Sequence, residues 1–445
     1  PTGIIYMNTR INYDILSYLP GDIETMKGQD ILLDEFGTGA FSVAVIDGMQ
    51  EKEISQLEDK LKEIDHVKDV LWYGALADIS IPMDMLPDDL KDSLQNADTG
   101  SQLMIITFDT SMSADETLDA IEEIRGLTNE QCLLSGMSAV VTDIKKICNS
   151  EVIMYVVIAA GLSALVLALT MDSFLLPFIF LLSIGMAIVY NLGTNFIAGE
   201  ISFVTQALAA VLQLAVTMDY SIFLWHSYLE NQERYPDDKK RAMSHAISQT
   251  LTSVVGSSIT TIAGFLAMCF MSFTLGLDLG IVMAKGVVFG VISCVTILPS
   301  FILTFDKAIE KTRHRDIIPS LDKIATLIVK RWWVFLIIFA VALAPAIYGY
   351  THYNVYYNFD TMLPEDTDSI VANTKLSEEF NMNSTHMLLV DSDMKSKDVN
   401  KMLSEMKNID GISFALGMDT LVGSAIPQDV IPDSIKSMLK SDDWQ

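Results

Sequence analysis

Asp219 lies within a run of apolar residues that is long enough to cross a membrane. A charged carboxylate near the middle of a lone membrane helix costs about 3 kcal/mol or more, so such a residue is usually protonated, paired or next to water. A carboxyl group held there can take up a proton from one side of the membrane and release it to the other. The position therefore predicts a proton-relay residue, and the alternative is a static buried hydrogen bond.

Tyr220 follows Asp219 directly and is the second candidate relay residue. Neighbouring side chains on a helix point about 100° apart. The Tyr220 hydroxyl is therefore expected to serve a partner on another helix, and not Asp219 itself.

Three further polar residues are candidates for supporting the relay. Lys285 is a second charge within an apolar segment, and we expect it to face the bundle interior and pair with Asp219 or its counterpart in a second half. The alternative is that the long Lys285 side chain extends to the outer interface. Ser257 and Thr261, four residues apart, share one helix face and are candidates for solvating Asp219. Helix packing is the alternative role for these hydroxyls.

Composition excludes several functional classes. Half of the residues are hydrophobic while the net charge is −28, a combination that is unusual for a soluble protein. The acidic balance argues against nucleic-acid binding, which requires clustered Lys and Arg. No metal-ligand spacing and no phosphate-binding lysine loop is found, so no metal, cofactor or ATP site is predicted. Gly136-Met137-Ser138 is not a complete nucleophile elbow and more naturally marks a strand-to-helix turn, so an enzyme is not predicted.

Six apolar segments approach or exceed the roughly 20 residues that a membrane-spanning helix needs. They are residues 152–171, 174–192, 203–229, 251–273, 277–305 and 332–350. Five of them form one block, and a charged stretch precedes the sixth. The sequence therefore predicts a polytopic α-helical membrane protein.

Lys and Arg are concentrated in two connections between these segments, residues 234–241 and 307–331. Cytoplasmic loops carry an excess of these residues, so both connections are predicted to be cytoplasmic. Counting spans then places residues 1–150, and the chain after about residue 353, outside the cytoplasm. The acidic regions fall there.

Residues 1–150 also show the alternation of strands and helices that is typical of an α+β domain. Strands are predicted at 41–46, 67–72, 104–108 and 132–135, with helices at 51–64 and 114–125 and a short Asp-rich helix at 88–95. Two β-α-β units in series fit a ferredoxin-like sandwich.

Two motifs occur twice at a nearly constant separation. Residues 12–20 resemble residues 358–364, and residues 81–88 resemble residues 426–433, at offsets of 344 and 345. We interpret them as parallel repeats of a membrane bundle with its external domain, an architecture known among transporters. A duplication with only structural meaning is the alternative. The offset implies that most of the first helix of the first repeat is missing and that the second repeat is truncated.

The predicted organisation follows from the spans and the repeat. It comprises an external porter domain at 1–150, a five-helix bundle at 151–305, a cytoplasmic linker at 306–331, the first helix of the second repeat at 332–353 and a truncated second porter domain at 354–445.

Several of these motifs resemble the MMPL (mycobacterial membrane protein large) branch of the resistance-nodulation-division (RND) superfamily. They are TMDYSIFLWHSYLE at 217–230, GSSITTIAGF at 256–265, Asp278-Leu279-Gly280 and Ile297-Leu298-Pro299. The resemblance implies a twelve-helix transporter with two external porter domains and an Asp-Tyr proton relay in each half. Only Asp219 and Tyr220 match the relay, since the second pair would lie beyond Gln445. Lys285 matches no residue of the general relay.

The expected function is a transporter in the plasma membrane, driven by the proton-motive force, that exports a lipid or another hydrophobic or amphiphilic molecule. Membrane lipids and protons are the expected partners, and the identity of the substrate, sodium as the coupling ion and the oligomeric state stay open. The alternative is a lipid-sensing or protein-export accessory protein with a sterol-sensing-like bundle. Such a protein would lack a titrating pair in one half.

Overall fold

The chain forms two compact units in a computed structural model. This structure describes residues 9–72, 94–96, 98–128, 131–197, 199–314, 322–353, 363–383, 385–413, 415–417 and 439–445. The helical unit comprises residues 1–11, 151–271 and 275–359, and the sheet unit comprises residues 12–150, 272–274 and 360–445. The motifs at 81–88 and 426–433, most of the motif at 358–364 and most of the helix predicted at 88–95 lie outside the described residues.

The sheet unit contains a four-stranded antiparallel sheet. Its strands are β2 (Ala40–Ile46), β3 (Val67–Trp72), β4 (Gln102–Phe108) and β5 (Cys132–Ser135), and their order is β3-β4-β2-β5. A preceding strand, β1 (Arg10–Asn12), pairs elsewhere. Helices α2 (Glu51–Leu61) and α3 (Asp115–Leu127) connect β2 to β3 and β4 to β5. This β-α-β-β-α-β order with this strand arrangement is the ferredoxin-like one. The predicted bounds of these strands and helices differ from the observed ones by three residues or fewer.

Both faces of this sheet are covered. Successive side chains on a strand point to opposite faces. Ala44 and Ile46 of β2 pack in the core with α2 and α3, whereas Val43 and Val45 face the other way. The second face is covered by helix α11 (Asp368–Phe380), more than 200 residues later in the chain.

Helix α11 repeats helix α1 (Glu24–Phe36) at an offset of 344 residues. Both helices end at a residue in the left-handed conformation, Gly37 with φ +60° and Asn381 with φ +53°. In both, the second amide after the helix donates back to a leucine carbonyl, which closes the same end motif. Helix α12 (Ser396–Met406) repeats α2 at an offset of 345. Two pairs of helices therefore have the same offset as the motifs, and the duplication of the bundle stays a prediction.

Within the described residues, six helices are long and apolar enough to cross a membrane, in agreement with the six predicted spans. They are α4 (Met137–Thr170), α5 (Leu176–Gly193), α6 (Phe203–Arg234), α7 (Lys239–Met268), α8 (Leu275–Lys311) and α10 (Trp332–His352). Strand β6 (Glu200–Ser202) precedes α6 and pairs with β1, and α9 (Asp322–Lys330) precedes α10.

Two helices begin earlier than apolar character alone predicts. Helix α4 starts at Met137, directly after Gly136, whose φ of +111° makes the predicted strand-to-helix turn from β5. Helix α7 starts at Lys239, twelve residues before the predicted span, because the Asp238 side chain accepts from the amide of Arg241 and caps the helix. Its first turns are polar and therefore invisible to a hydropathy criterion.

Helix α8 is the centre of the helical unit and packs against α5, α6 and α7. Glycines at four-residue spacing let its neighbours approach closely. A side chain at Gly280 would lie 2.6 Å from the carbonyl oxygen of Phe265 in α7, and one at Gly290 would lie 2.0 Å from Thr217 in α6. By contrast, α10 buries none of its residues within the described chain.

Candidate functional site

Asp219 lies on the exposed face of α6. The buried residues of this helix recur every three or four positions and include Gln213, Thr217, Tyr220 and Leu224. Asp219 is outside this stripe, and it forms no hydrogen bond or ion pair with a side chain in the described ranges. The first bundle alone thus leaves a carboxyl group uncovered partway along a membrane helix.

Tyr220 points into the bundle. It is only 4% exposed and packs in a cluster to which α4, α5, α6, α7 and α8 contribute. The Cys294 thiol of α8 donates to the Tyr220 carbonyl oxygen at 3.3 Å. The two side chains of the Asp-Tyr pair therefore have different surroundings, as the 100° spacing predicts.

Lys285 does not contact Asp219 in this structure. Its ammonium donates to the Asn195 carboxamide oxygen, in the connection between α5 and α6. Helices α6 and α8 run in parallel with a constant register, since Thr205 contacts Asp278 and Thr217 contacts Gly290. Asp219 is therefore level with Ile292, about 10 Å along the helix from Lys285.

The expected pairing of Lys285 with Asp219 is thus not formed within this half. The ammonium extends from α8 to Asn195 in the α5–α6 connection, and the alternative of a side chain that reaches the outer interface stays a prediction. A pairing with a carboxylate of a second half stays a prediction.

Ser257 and Thr261 are not brought to Asp219 either. Ser257 donates to the carbonyl oxygen of Val254 at 3.3 Å, and Thr261 donates to that of Ser257 at 3.1 Å. Both hydroxyls therefore bond within α7, which is the usual behaviour of such residues in membrane helices.

Ion pairs connect the helices and turns at the end of the bundle that the charge pattern predicts to be cytoplasmic. Asp172, in the α4–α5 turn, contacts Arg313 after α8 at 2.8 Å and accepts from the Trp225 indole at 3.0 Å. Lys239, at the start of α7, contacts Asp306 of α8 at 2.6 Å. The connections that span counting assigns to the cytoplasm therefore lie at one end of the bundle.

Three buried amide residues, Asn191, Asn195 and Gln213, were missed by the sequence analysis. Polar residues inside membrane segments are rare and usually functional. Asn191 and Gln213 lie within predicted spans, so the same criterion that selected Asp219 and Lys285 would have found them. In the ranges that the structure describes, no group of three or more His, Cys, Asp or Glu residues is placed to hold a metal ion.

These helices and the sheet unit define a multi-pass membrane protein with an α+β domain. The chain belongs to the MMPL family, whose model matches residues 37–346, more than half of the chain.

Several named proteins are similar to this chain. SCO5905 of Streptomyces coelicolor, whose name describes a membrane protein, is 25% identical over 255 residues, which is 53% of this chain and 30% of that protein. MmpL12 of Mycobacterium tuberculosis, whose name describes a probable transport protein, is 24% identical over 378 residues, which is 81% of this chain and 31% of that protein. The chain thus spans about a third of the length of these relatives.

A solved structure of SecDF in its super-membrane-facing form is also similar. It has a TM-score of 0.35 and 14% identity, and the match covers 69% of this chain and 36% of that one. This likeness is too low to support any inference about function.

Proposed function

We propose that this chain is part of a transporter that uses the proton-motive force to export a lipid or another hydrophobic or amphiphilic molecule. Membership of the MMPL family and the name of the relative MmpL12 support transport. The internal repeat supports it as well, since parallel repeats of a membrane bundle are a known transporter architecture with sites between the halves.

The observation that carries the proposal is the position of Asp219 on the uncovered face of α6. A carboxylate that faced lipid would be costly, so this face must meet another protein surface or water. We assign the covering surface to the equivalent bundle of the second repeat. Asp219 then lies at the interface between the two halves, where a change in its charge alters how the halves pack.

In the proposed cycle, Asp219 is protonated from outside and deprotonated toward the cytoplasm. Protonation removes the charge, and the halves then repack by rocking against each other. Tyr220 is buried in the first bundle and makes α6 move together with its neighbours. The sheet unit is the proposed external porter domain, through which the substrate leaves.

Substitution Asp219→Asn in the full-length protein tests this proposal. We expect coupled transport to be abolished in vesicles with an imposed pH gradient, while the protein stays folded. Glu230→Gln is the matched control, since Glu230 is an exposed acid near the end of the same helix. Undiminished transport by Asp219→Asn would exclude the relay role.

A further inference from the structure

Three carboxamides are fully buried inside the helical unit. Asn191, Asn195 and Gln213 are 0%, 2% and 1% exposed. The Asn191 amide nitrogen donates to the Gln213 oxygen at 3.0 Å. Each residue nevertheless keeps one buried polar atom without a partner in the described chain, namely Asn191 Oδ1, Asn195 Nδ2 and Gln213 Nε2.

At the end of the bundle where α6 begins, two charged side chains, Lys285 and Asp278, lie next to these amides. The Lys285 ammonium donates to Asn195. Asp278, two helical turns from Lys285, accepts from the Ser202 amide at 2.8 Å and from the Thr205 hydroxyl at 2.6 Å. No carboxylate in the described ranges forms an ion pair with Lys285.

Toward the opposite end, the amides are followed by hydroxyl groups around a small void. Ser183 of α5 and Ser293 of α8 are bonded at 2.9 Å. Thr217 and Ser221 of α6 complete the polar lining, next to Cys294. Together these groups form a polar column between α5, α6 and α8, which runs from Asp278 to Ser293.

The donors and acceptors that line the column determine which kind of molecule can occupy it. A buried donor or acceptor without a partner costs about 1–3 kcal/mol, and ordered water is the usual remedy. The unpaired atoms are two donors and one acceptor, and the Thr217 and Ser221 hydroxyls donate to their own helix, which leaves their oxygens free to accept. Water satisfies both kinds of group. The Lys285 ammonium disfavours a metal cation, and Asn191 Oδ1 disfavours an anion.

We propose that water occupies this polar column and solvates Lys285 within the membrane, entering from the end at which Asp278 and Asn195 lie. The void beside Gly290 has no room for a water molecule in this conformation, so water enters this part of the column only when side chains shift. The column lies on the buried side of α6, whereas Asp219 lies on the exposed side. The inference therefore goes beyond the proposed relay and does not depend on it.

Two native cysteines provide a matched test in the full-length protein. Cys294 borders the void and is 2% exposed, whereas Cys132 is 3% exposed in the apolar core of the sheet unit. Radiolysis in ¹⁸O-labelled water generates hydroxyl radicals wherever water resides, including buried sites. We expect ¹⁸O incorporation at Cys294 to be several-fold faster than at Cys132. Equal, slow labelling of both cysteines would mean that the column is dry and would overturn the proposal.

The double substitution Asn191→Leu and Gln213→Leu tests the route. It replaces both partners of the Asn191–Gln213 bond, and with them their two unpaired atoms, by apolar groups of similar size, so thermal stability should be retained or increased. We expect the labelling of Cys294 to fall to that of Cys132. Labelling that persisted in this variant would show that water arrives by another path and would contradict the column. None of these outcomes depends on whether Asp219→Asn abolishes transport.

Discussion

Gly290 shows how one residue fixes the packing of α6, the helix that carries Asp219. A Cβ atom at this position would lie 2.0 Å from the Thr217 methyl carbon and 3.2 Å from its Cβ atom, so α6 or the Thr217 side chain would have to move. Overpacking of this kind costs about 1–3 kcal/mol. We therefore predict that Gly290→Ala lowers the melting temperature of the protein in detergent.

Gly264 of α7 is the matched control for Gly290. It is also inside a membrane helix, but a Cβ atom there would meet nothing within 4 Å. Replacing a helical glycine by alanine at an open position stabilises by about 0.5–1 kcal/mol. An equal effect of Gly264→Ala and Gly290→Ala would contradict the close contact between α6 and α8.

Cys132 allows a prediction about pH. Burial in the sheet core raises the pKa of this thiol from 9.0 to about 12. At pH 8 its thiolate should be about a thousandfold rarer than that of an ordinary cysteine, because each pKa unit is a factor of ten. We expect a maleimide to label Cys132 only after denaturation. Prompt labelling of the folded protein would contradict its burial.

The raised pKa of Cys132 also determines the direction in which the stability of the folded protein changes with pH. The pKa of Cys132 in the folded protein is above that in the unfolded chain, so the unfolded state loses this proton first as pH rises. The contribution of the neutral thiol to the free energy of unfolding is therefore fully present below about pH 9 and is lost as pH rises toward about 12.

At the scale of elements, α11 is the clearest long-range contact in the sheet unit. Leu376 and Phe380 cover Val43, Val45 and Leu103 on the face of the sheet opposite α2 and α3. Phe→Ala substitutions in a core cost about 3–5 kcal/mol. We predict that Phe380→Ala strongly destabilises the sheet unit, as measured by the melting temperature. The exposed residue Glu378, on the same helix, is the control, and Glu378→Ala should have little effect.

Polar contacts fix the position of α11 as well. Asp143 forms a two-pronged ion pair with Arg125 at 2.6 and 3.0 Å and also accepts from the Ser369 amide at 3.1 Å. Lys375 contacts Asp47 at 2.9 Å.

The comparison of Phe380→Ala with Glu378→Ala tests the packing of α11. If the two substitutions had equal effects on the melting temperature, α11 would not be part of the sheet core.

Local patterns predicted most of these elements but not their partners. Strand alternation and helical period located β2 to β5, α2 and α3 within a few residues, because these signals depend on neighbouring positions. The packing of α11 on a sheet more than 200 residues away leaves no local signal. The same limit applies to Lys285. Its charge within an apolar segment made it a candidate, but its bond to Asn195 depends on where the α5–α6 connection folds.

At the scale of the whole molecule, the candidate relay and the polar column are separated by α6. Asp219 is on the exposed side of this helix, and Gln213 and Thr217 are on its buried side. A displacement of α6 that follows a change in the charge of Asp219 would therefore alter the contacts that line the column. Any such displacement also acts on the ion pairs at the far end of the bundle, where Trp225 of α6 donates to Asp172.

The orientation of the bundle in the membrane is the last prediction. Asp237 and Ser272 are exposed residues that lie in the turns just before and just after α7. The excess of Lys and Arg predicts that Asp237 is in the cytoplasm. In a cysteine-free background of the full-length protein, we expect a membrane-impermeant maleimide to label Ser272→Cys in intact cells. It should label Asp237→Cys only after permeabilisation. Because the two sites flank one helix, the reverse pattern would invert the whole topology, including the external position proposed for the sheet unit and the direction in which Asp219 releases its proton.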